Sequence, residues 1–266
     1  MHSLPKTFLT SGAADEGKLA TKMRFRGVSQ IVLFNWPFYA SALAVTLLAL
    51  SINPFLPEAL HLWVWLGVAT GALSVLLTLI ASWYVYDWCD PYVFDYIRCQ
   101  PPERIANIHA GFDESTLPLK RKFTDAAIDT YDFYDPKKHT EASIRRARAR
   151  HPTPTSTIPI ESSHIPAGED TYDLICLIFA AHEIRDEVER ISFFKELQIV
   201  SKPGASIYVV EHLRDWRNAL VYSIGCLHFH SEAAWQRTFA QSGWRIMNRS
   251  RVNAFVISYQ LQCIST

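Results

Sequence analysis

Two long stretches without a charged residue constrain this chain more than anything else in it. From Gly27 to Pro57 there is no Asp, Glu, Lys or Arg, and Ile31 to Ile52 consists mainly of Leu, Val, Ala, Phe and Ile. From Ala59 to Tyr86 charge is again absent, and Leu62 to Val85 is apolar apart from small Gly, Ser and Thr residues. Each stretch is long enough, as a helix, to cross a hydrocarbon core about 30 Å thick. Between them, Asn53-Pro54-Phe55-Leu56-Pro57-Glu58 is a turn-forming break with room only for a tight connection. The sequence therefore predicts a transmembrane helical hairpin over residues 28–90, behind a polar tail, 1–27, that has no apolar core of a cleavable signal peptide.

Positive charge sets the expected orientation. Lys18, Lys22, Arg24 and Arg26 precede the first span, the connecting loop has no Lys or Arg, and Arg98 and Arg104 follow the second. Both termini, and whatever follows the hairpin, are expected on the cytosolic side of an integral membrane protein. Trp63 and Trp65 at one end of the second span, and Trp83, Tyr84, Tyr86 and Trp88 at the other, match aromatic belts at headgroup depth. Gly67 and Gly71, four apart, predict a close approach of the two helices. By itself the hairpin reads as an anchor with no catalytic part.

Charge and cysteine content narrow the function classes. Lys+Arg and Asp+Glu both total 26, so nothing points to nucleic acid as a partner. Five cysteines are scattered without a CxxC pair, which fits neither a zinc site nor a dense disulfide framework and suits a reducing compartment. No metal site is read from His228 and His230, which lack a carboxylate or cysteine at ligand spacing. The basic cluster Arg145, Arg146, Arg148 and Arg150 reads as a solvated helix face that also suits anionic headgroups.

After a linker, 91–103, containing Gln100-Pro101-Pro102, residues 104–266 alternate short apolar runs with amphipathic stretches. Arg104 to Ala110 reads as a strand, then a turn and a short helix to about Phe123, with Asp113 or Ser115 able to cap it. Ala126 to Phe133 is a second strand, His139 to Arg150 a basic helix, and Tyr172 to Ala181 a continuous apolar run suited to a central parallel strand. A helix over Asp186 to Val200 ends at Lys202-Pro203-Gly204, a strand covers Ala205 to Val210, and a helix spans Ala233 to Ser242. Trp244 to Arg249 and Ala254 to Gln262 close the domain as an antiparallel pair. The fold class is α/β, a doubly wound, mostly parallel sheet preceded by the two-helix hairpin.

This order of elements resembles a class I S-adenosylmethionine-dependent methyltransferase from about Arg104 to Gln262. Its most specific part is the strand Tyr172-Asp173-Leu174-Ile175, a helix ending in Lys202-Pro203-Gly204, and the strand Ser206 to Glu211; Ala205 replaces the family's second glycine. The first turn, His109-Ala110-Gly111-Phe112-Asp113-Glu114, is similar to the Gly-Ala-Gly-x-Asp form of leucine carboxyl methyltransferase-like enzymes, with His109 in place of the first glycine. The resemblance implies S-adenosylmethionine as cofactor, held by His109, Ala110, Gly111 and Asp113. It also implies an acid at the end of the second strand for the ribose hydroxyls, a position that Asp132 and Asp135 bracket.

Ligands of an open α/β sheet lie beyond the carboxyl ends of the strands. That placement brings His182 and Glu183, after one strand, towards Glu211 and His212, after the next. His182 is a candidate base oriented by Glu183 or Glu211; equally, His182 and Glu183 suit the cap of the following helix. The segment Trp216 to His230 mixes apolar residues with His228 and His230, and suits either a roof over the pocket or a position on the membrane surface. The expected function is methyl transfer to a hydrophobic small molecule, such as a lipid, a prenylated compound or a secondary metabolite, at the lipid bilayer. The alternatives are a cyclase or isomerase on a repurposed methyltransferase fold, and a non-catalytic membrane adaptor.

Overall fold

The computed structural model describes residues 25–139 and 141–263. All of the polar tail but its last three residues, Lys18, Lys22 and Arg24 included, therefore lies outside the described residues. The hairpin is α2 (Trp36–Ile52) and α3 (Glu58–Trp83), joined through a short 3-10 turn, Asn53–Phe55. Trp36–Phe55 and Glu58–Val93 are long and apolar enough to cross a membrane, and α3 alone, with 26 residues, is about 39 Å long at 1.5 Å per residue. Leu43, Val45, Leu47, Leu62, Leu73 and Leu76 on these helices are all exposed.

The expected first span, Ile31 to Ile52, is not one helix. Its first residues belong to α1 (Arg26–Phe34), which ends where Asn35 leaves helical geometry and Pro37 opens α2. Proline suits a first turn and cannot continue the preceding helix. Phe34, at the end of α1, is buried against Phe112, and Arg146 donates to the Phe34 carbonyl, so α1 packs on the soluble domain. Its N-terminus is held by Asp87, whose carboxylate accepts from the Gly27 and Val28 N–H groups, both at 2.8 Å. Gly27 is the close-approach glycine here, because a Cβ on it would collide with Tyr86. Gly67 and Gly71, expected to bring the helices together, face open space with nothing within 4 Å of an added Cβ.

The soluble domain is a seven-stranded sheet of order β3-β2-β1-β4-β5-β7-β6. The strands are β1 (Arg104–His109), β2 (Ala127–Asp132), β3 (Ile158–Pro159), β4 (Tyr172–Ile178), β5 (Ser201–His212), β6 (Trp244–Arg251) and β7 (Val256–Cys263). The first five run parallel, while β7 is antiparallel to both β5 and β6. The helices are α4 (Thr116–Lys122), α5 (Ala142–Arg150), α6 (Glu187–Val200), α7 (Trp216–Tyr222) and α8 (Glu232–Gln241). The sheet is thus doubly wound and mostly parallel. Chain direction across it reverses between β1 and β4, which opens a crevice at their carboxyl ends. Lys202-Pro203-Gly204 lies inside the long strand β5, Gly204 taking a φ of +82°, where a turn before the strand was expected.

One face of the sheet is covered by α6 and α8 through Phe193, Phe194, Leu197, Trp235 and Phe239. On the other face the cover is α4 together with the chain leaving the hairpin: Val85, Phe94, Ile97 and Leu119 pack on Ile105, Leu174 and Tyr208. Phe94 and Ile97, in the stretch 91–103 that the sequence reads as a linker, are therefore part of the core. Phe94, in the middle of that stretch, is 1% exposed.

Candidate active site

The crevice between β1 and β4 contains a cavity of about 410 Å³. Ala110, Phe112 and Glu114 contribute to it from the turn after β1, and Ile178, Phe179 and Glu183 from the end of β4. Another part of the wall comes from the segments that flank the hairpin, with Gln30, Ile31 and Phe34 of α1 and Tyr86, Asp87 and Tyr92 beyond α3. Residues 28–90, expected to be an anchor alone, thus contribute to the cavity through their two ends. Its polar lining mixes the carboxylates Asp87, Asp90, Glu114 and Glu183 with Arg26, Arg121 and two tyrosines. Glu114 accepts a hydrogen bond from the Tyr92 hydroxyl at 2.9 Å, and burial raises its carboxyl above the ordinary value against the lowering effects of Tyr92 and Arg26. Phe179 adopts φ +52°, a left-handed conformation that is rare for a bulky residue and clusters at functional sites.

Parallel pairing sets His109 beside Asp132 at the ends of β1 and β2. Gly111 follows with φ +91° and donates its N–H to Asp132 Oδ1 at 2.7 Å. The Tyr134 N–H reaches the same oxygen at 3.0 Å, and Arg148 binds the other while its guanidinium lies 4.5 Å over the Tyr134 ring. Of the two bracketing acids, Asp132 is the one at the strand end. Asp135 holds the following turn by accepting from Lys137 N–H at 2.8 Å. Asp113 caps α4, with Oδ1 accepting from the Ser115 and Thr116 N–H groups at 3.0 and 2.9 Å. His109 is 3% exposed, and neither of its ring nitrogens has a hydrogen-bond partner; burial lowers its pKa.

The four expected catalytic residues fall into two groups. His182 and Glu183 stand in a short 3-10 turn, Ala181–Glu183, after β4. Glu211, fully buried at the end of β5, accepts from His182 Nδ1 at 2.6 Å and from the His182 backbone N–H at 3.1 Å. On the other side of the ring, His182 Nε2 is 3.4 Å from Glu183 Oε1. Burial alone would lower the His182 pKa, but Glu211 and Glu183 together push it up to about 10. His182 is consequently an imidazolium at neutral pH, without the lone pair that a base needs. The helix cap expected of this pair belongs instead to Asp186, which accepts from Glu189 N–H at 2.8 Å.

His212 is packed rather than presented. It is stacked between Phe179 and Phe229, with ring centroids 5.3 and 4.9 Å away. Its Nε2 accepts from the Tyr86 hydroxyl at 3.0 Å, and its Nδ1 meets Asn218 Oδ1 and the Phe255 carbonyl, both at 3.2 Å. Neither nitrogen is left for a substrate. Burial lowers its pKa to about 4. His228, expected in a roof over the pocket or on the membrane surface, joins the first group: its Nε2 is 3.2 Å from Glu183 Oε1. A histidine 46 residues from His182 announces nothing by its spacing; only the folding of Trp216 to His230 back over the strand ends brings it there.

No family model matches the chain, and no curated protein is similar to it. Solved structures similar to it include several methyltransferases and a [4+2]-cyclase. One is a SAM-dependent methyltransferase from Aquifex aeolicus, 17% identical, covering 61% of this chain and 82% of that one, with a TM-score of 0.45. Another, from Methanosarcina mazei, is 16% identical over 66% of this chain and 98% of that one, at a TM-score of 0.47. Human N-acetylserotonin methyltransferase in complex with SAM is 14% identical over 71% and 55%, at 0.48.

Proposed function

We propose that this chain is a membrane-anchored S-adenosylmethionine-dependent methyltransferase whose acceptor is a hydrophobic small molecule: a lipid, a prenylated compound or a secondary metabolite. The observation that supports this reading is the cavity at the β1–β4 crevice, the ligand position of a doubly wound sheet, with part of its wall built from the segments that flank an apolar hairpin. A substrate dissolved in the bilayer meets such a cavity without crossing bulk water. The exposed residues Trp216, Leu220, Ile224 and Leu227 lie on a segment tied to α3 by the Thr78 hydroxyl, which donates to the Val221 carbonyl at 2.7 Å. An apolar stripe so close to the hairpin suits the interfacial plane of the bilayer, with the soluble domain on the cytosolic side.

The cavity has acidic groups for the cofactor's charge. Glu114, Asp87, Asp90 and Glu183 line it beside Arg26 and Arg121, and these carboxylates suit a group that carries a sulfonium and an ammonium. Its volume lies within the ordinary range for small-molecule sites, about 300–1,000 Å³. Of the turn expected to hold the cofactor, Ala110 lines the cavity; Gly111 and Asp132 stand outside its lining but have the residue types and strand positions that the resemblance asks for, with His109 and Asp113 shaping the turn. Asp132 would hold the ribose hydroxyls with Arg148 off its outer oxygen. When bound, the cofactor supplies an electrophilic methyl carbon. The protein's share is alignment, which accounts for much of the rate in such a transfer: Glu183, in the cavity wall, orients the acceptor, and His182 with Glu211 behind it holds Glu183 in place.

The Arg148–Asp132 pair also favours a second reading, a cyclase or isomerase that keeps the fold without methyl transfer. Titration of the detergent-solubilised chain with S-adenosylmethionine and with S-adenosylhomocysteine separates the two. Saturable binding weakened by Gly111→Asp, with methyl transfer to a lipid or metabolite extract, is the expected result. Absence of saturable binding would overturn the methyltransferase reading, and binding without transfer would favour the cyclase.

A further inference from the structure

We propose that His182, Glu183 and His228 form a binding site for a divalent transition-metal ion of the zinc type, set in the wall of the candidate active-site cavity. The ligand atoms of these three side chains all lie within 4.8 Å of one another. Two donors bound to zinc at about 2.0–2.1 Å and a tetrahedral angle are about 3.4 Å apart. Glu183 Oε1 stands 3.4 Å from His182 Nε2 and 3.2 Å from His228 Nε2, so the carboxylate oxygen is already at the right spacing from both imidazoles. Two His and one Glu, with a fourth position open, is the composition of catalytic zinc sites.

The surroundings supply an independent argument. A metal-binding imidazole almost always gives its other ring nitrogen to a carboxylate or carbonyl, which fixes the tautomer and turns the ligand nitrogen inward. Here both imidazoles are so placed. Glu211 takes His182 Nδ1 at 2.6 Å and is itself fully buried. Glu141 takes His228 Nδ1. Each Nε2 is thereby aimed at the same Glu183 oxygen. In the metal-free protein the proton on His182 Nε2 faces Glu183 Oε1, and a bound ion would take that proton's place, the proton leaving to solvent.

Charge points the same way. Three carboxylates, Glu141, Glu183 and Glu211, surround the two imidazoles. The cation that answers them from the facing segment is Arg185, which lies on His228 and pairs with Glu141 at 3.3 Å. Its side chain is 42% exposed, and it can move into solvent as a metal ion enters. Glu183 also lines the cavity, so the ion would adjoin the space where a substrate would sit. A ligand with a hydroxyl, carboxylate or keto oxygen would be held there by its oxygen atom. The site stands independently of the proposed cofactor.

The test uses the full chain in detergent, stripped with chelator and titrated with Zn²⁺, and in parallel with Co²⁺, whose visible absorption reports four-coordinate ligation. One ion per chain is expected. His228→Ala and Glu183→Gln should each weaken binding at least 100-fold and abolish the cobalt spectrum, and Glu211→Gln, which touches no metal, should weaken it 10- to 100-fold. His164→Ala, an exposed histidine elsewhere, should change neither. Circular dichroism checks that each variant is folded; His228 is only partly buried, so His228→Ala remains informative where Glu211→Gln does not fold. Failure to bind a stoichiometric ion, or binding and a cobalt spectrum unchanged in His228→Ala and Glu183→Gln, would overturn the proposal.

Discussion

His212 is a buried imidazole kept neutral, and His212→Gln tests that assignment quantitatively. In the fold, burial lowers its pKa from 6.5 to about 4. Each decade of such a displacement is worth about 1.4 kcal/mol, so neutrality contributes about 3 kcal/mol. The sign follows from proton binding. Between pH 6.5 and about 4 the unfolded chain takes up a proton that the folded chain refuses, so stability is full above pH 6.5 and falls as pH drops towards 4. Glutamine retains an oxygen able to accept from Tyr86 but removes the proton donated to Asn218 and Phe255. At pH 7.5 the variant should therefore be less stable by about 1–3 kcal/mol. At pH 4 that deficit should shrink by about 3 kcal/mol and can reverse. Urea unfolding of the solubilised chain, followed by tryptophan fluorescence across this range, reads the difference and removes contributions that both proteins share, such as that of His230, which is also lowered to about 4. Parallel stability curves for the two proteins would refute the reasoning, because they would mean that His212 titrates alike in the folded and unfolded chain.

Other substitutions probe the rest of the molecule. Gly111→Ala should cost about 2–4 kcal/mol in the same unfolding assay, since φ +91° disfavours a side chain and the new Cβ would stand 2.9 Å from Tyr134 Cδ2. Arg148→Met should tighten S-adenosylmethionine binding by freeing Asp132, and Asp132→Asn should loosen it at least tenfold; calorimetry reads both. Leu47→Arg, on the exposed face of α2, should reduce the share of chain that resists alkaline extraction from membranes, the insertion cost being about 2.5–3.5 kcal/mol. Leu56→Cys, in the hairpin turn, should react with an impermeant maleimide only from the side opposite the soluble domain.

What could be read from the sequence, and what could not, divides along a physical line. Strands β1, β2, β4 and the β6–β7 pair were legible because their apolar runs and bounding turns are local. So was the identity of Gly111, whose positive φ is a property of one residue. The break at Asn35 was hidden because the residues on both sides of it are equally apolar, and hydrophobicity alone does not tell a lipid-facing helix from one that packs on protein. The choice between Asp132 and Asp135 needed the register of β2 against β1. Arg148 was read as a solvated face, since nothing in a basic helix says which of its guanidinium groups finds a buried carboxylate. His182 was found from its position after a strand, whereas its protonation required knowing that Glu211 lies 2.6 Å away. His228 escaped for the same reason, being joined to Glu183 through tertiary structure alone.

Asp87 closes the base of the hairpin by gripping the first turn of α1, and this joint has a practical consequence. Solubilising a membrane enzyme by cutting off its anchor works where the anchor is a tether. Here the cut would remove a side of the chamber along with its stem, because Ile31, Phe34 and Tyr86 leave with the spans. A shortened chain beginning near Arg104 would also expose the sheet face that Val85, Phe94 and Ile97 now shelter. On the proposed function, the catalytic part and its mooring are one machined piece, and an assay keeps the lipid or detergent that lets both exist.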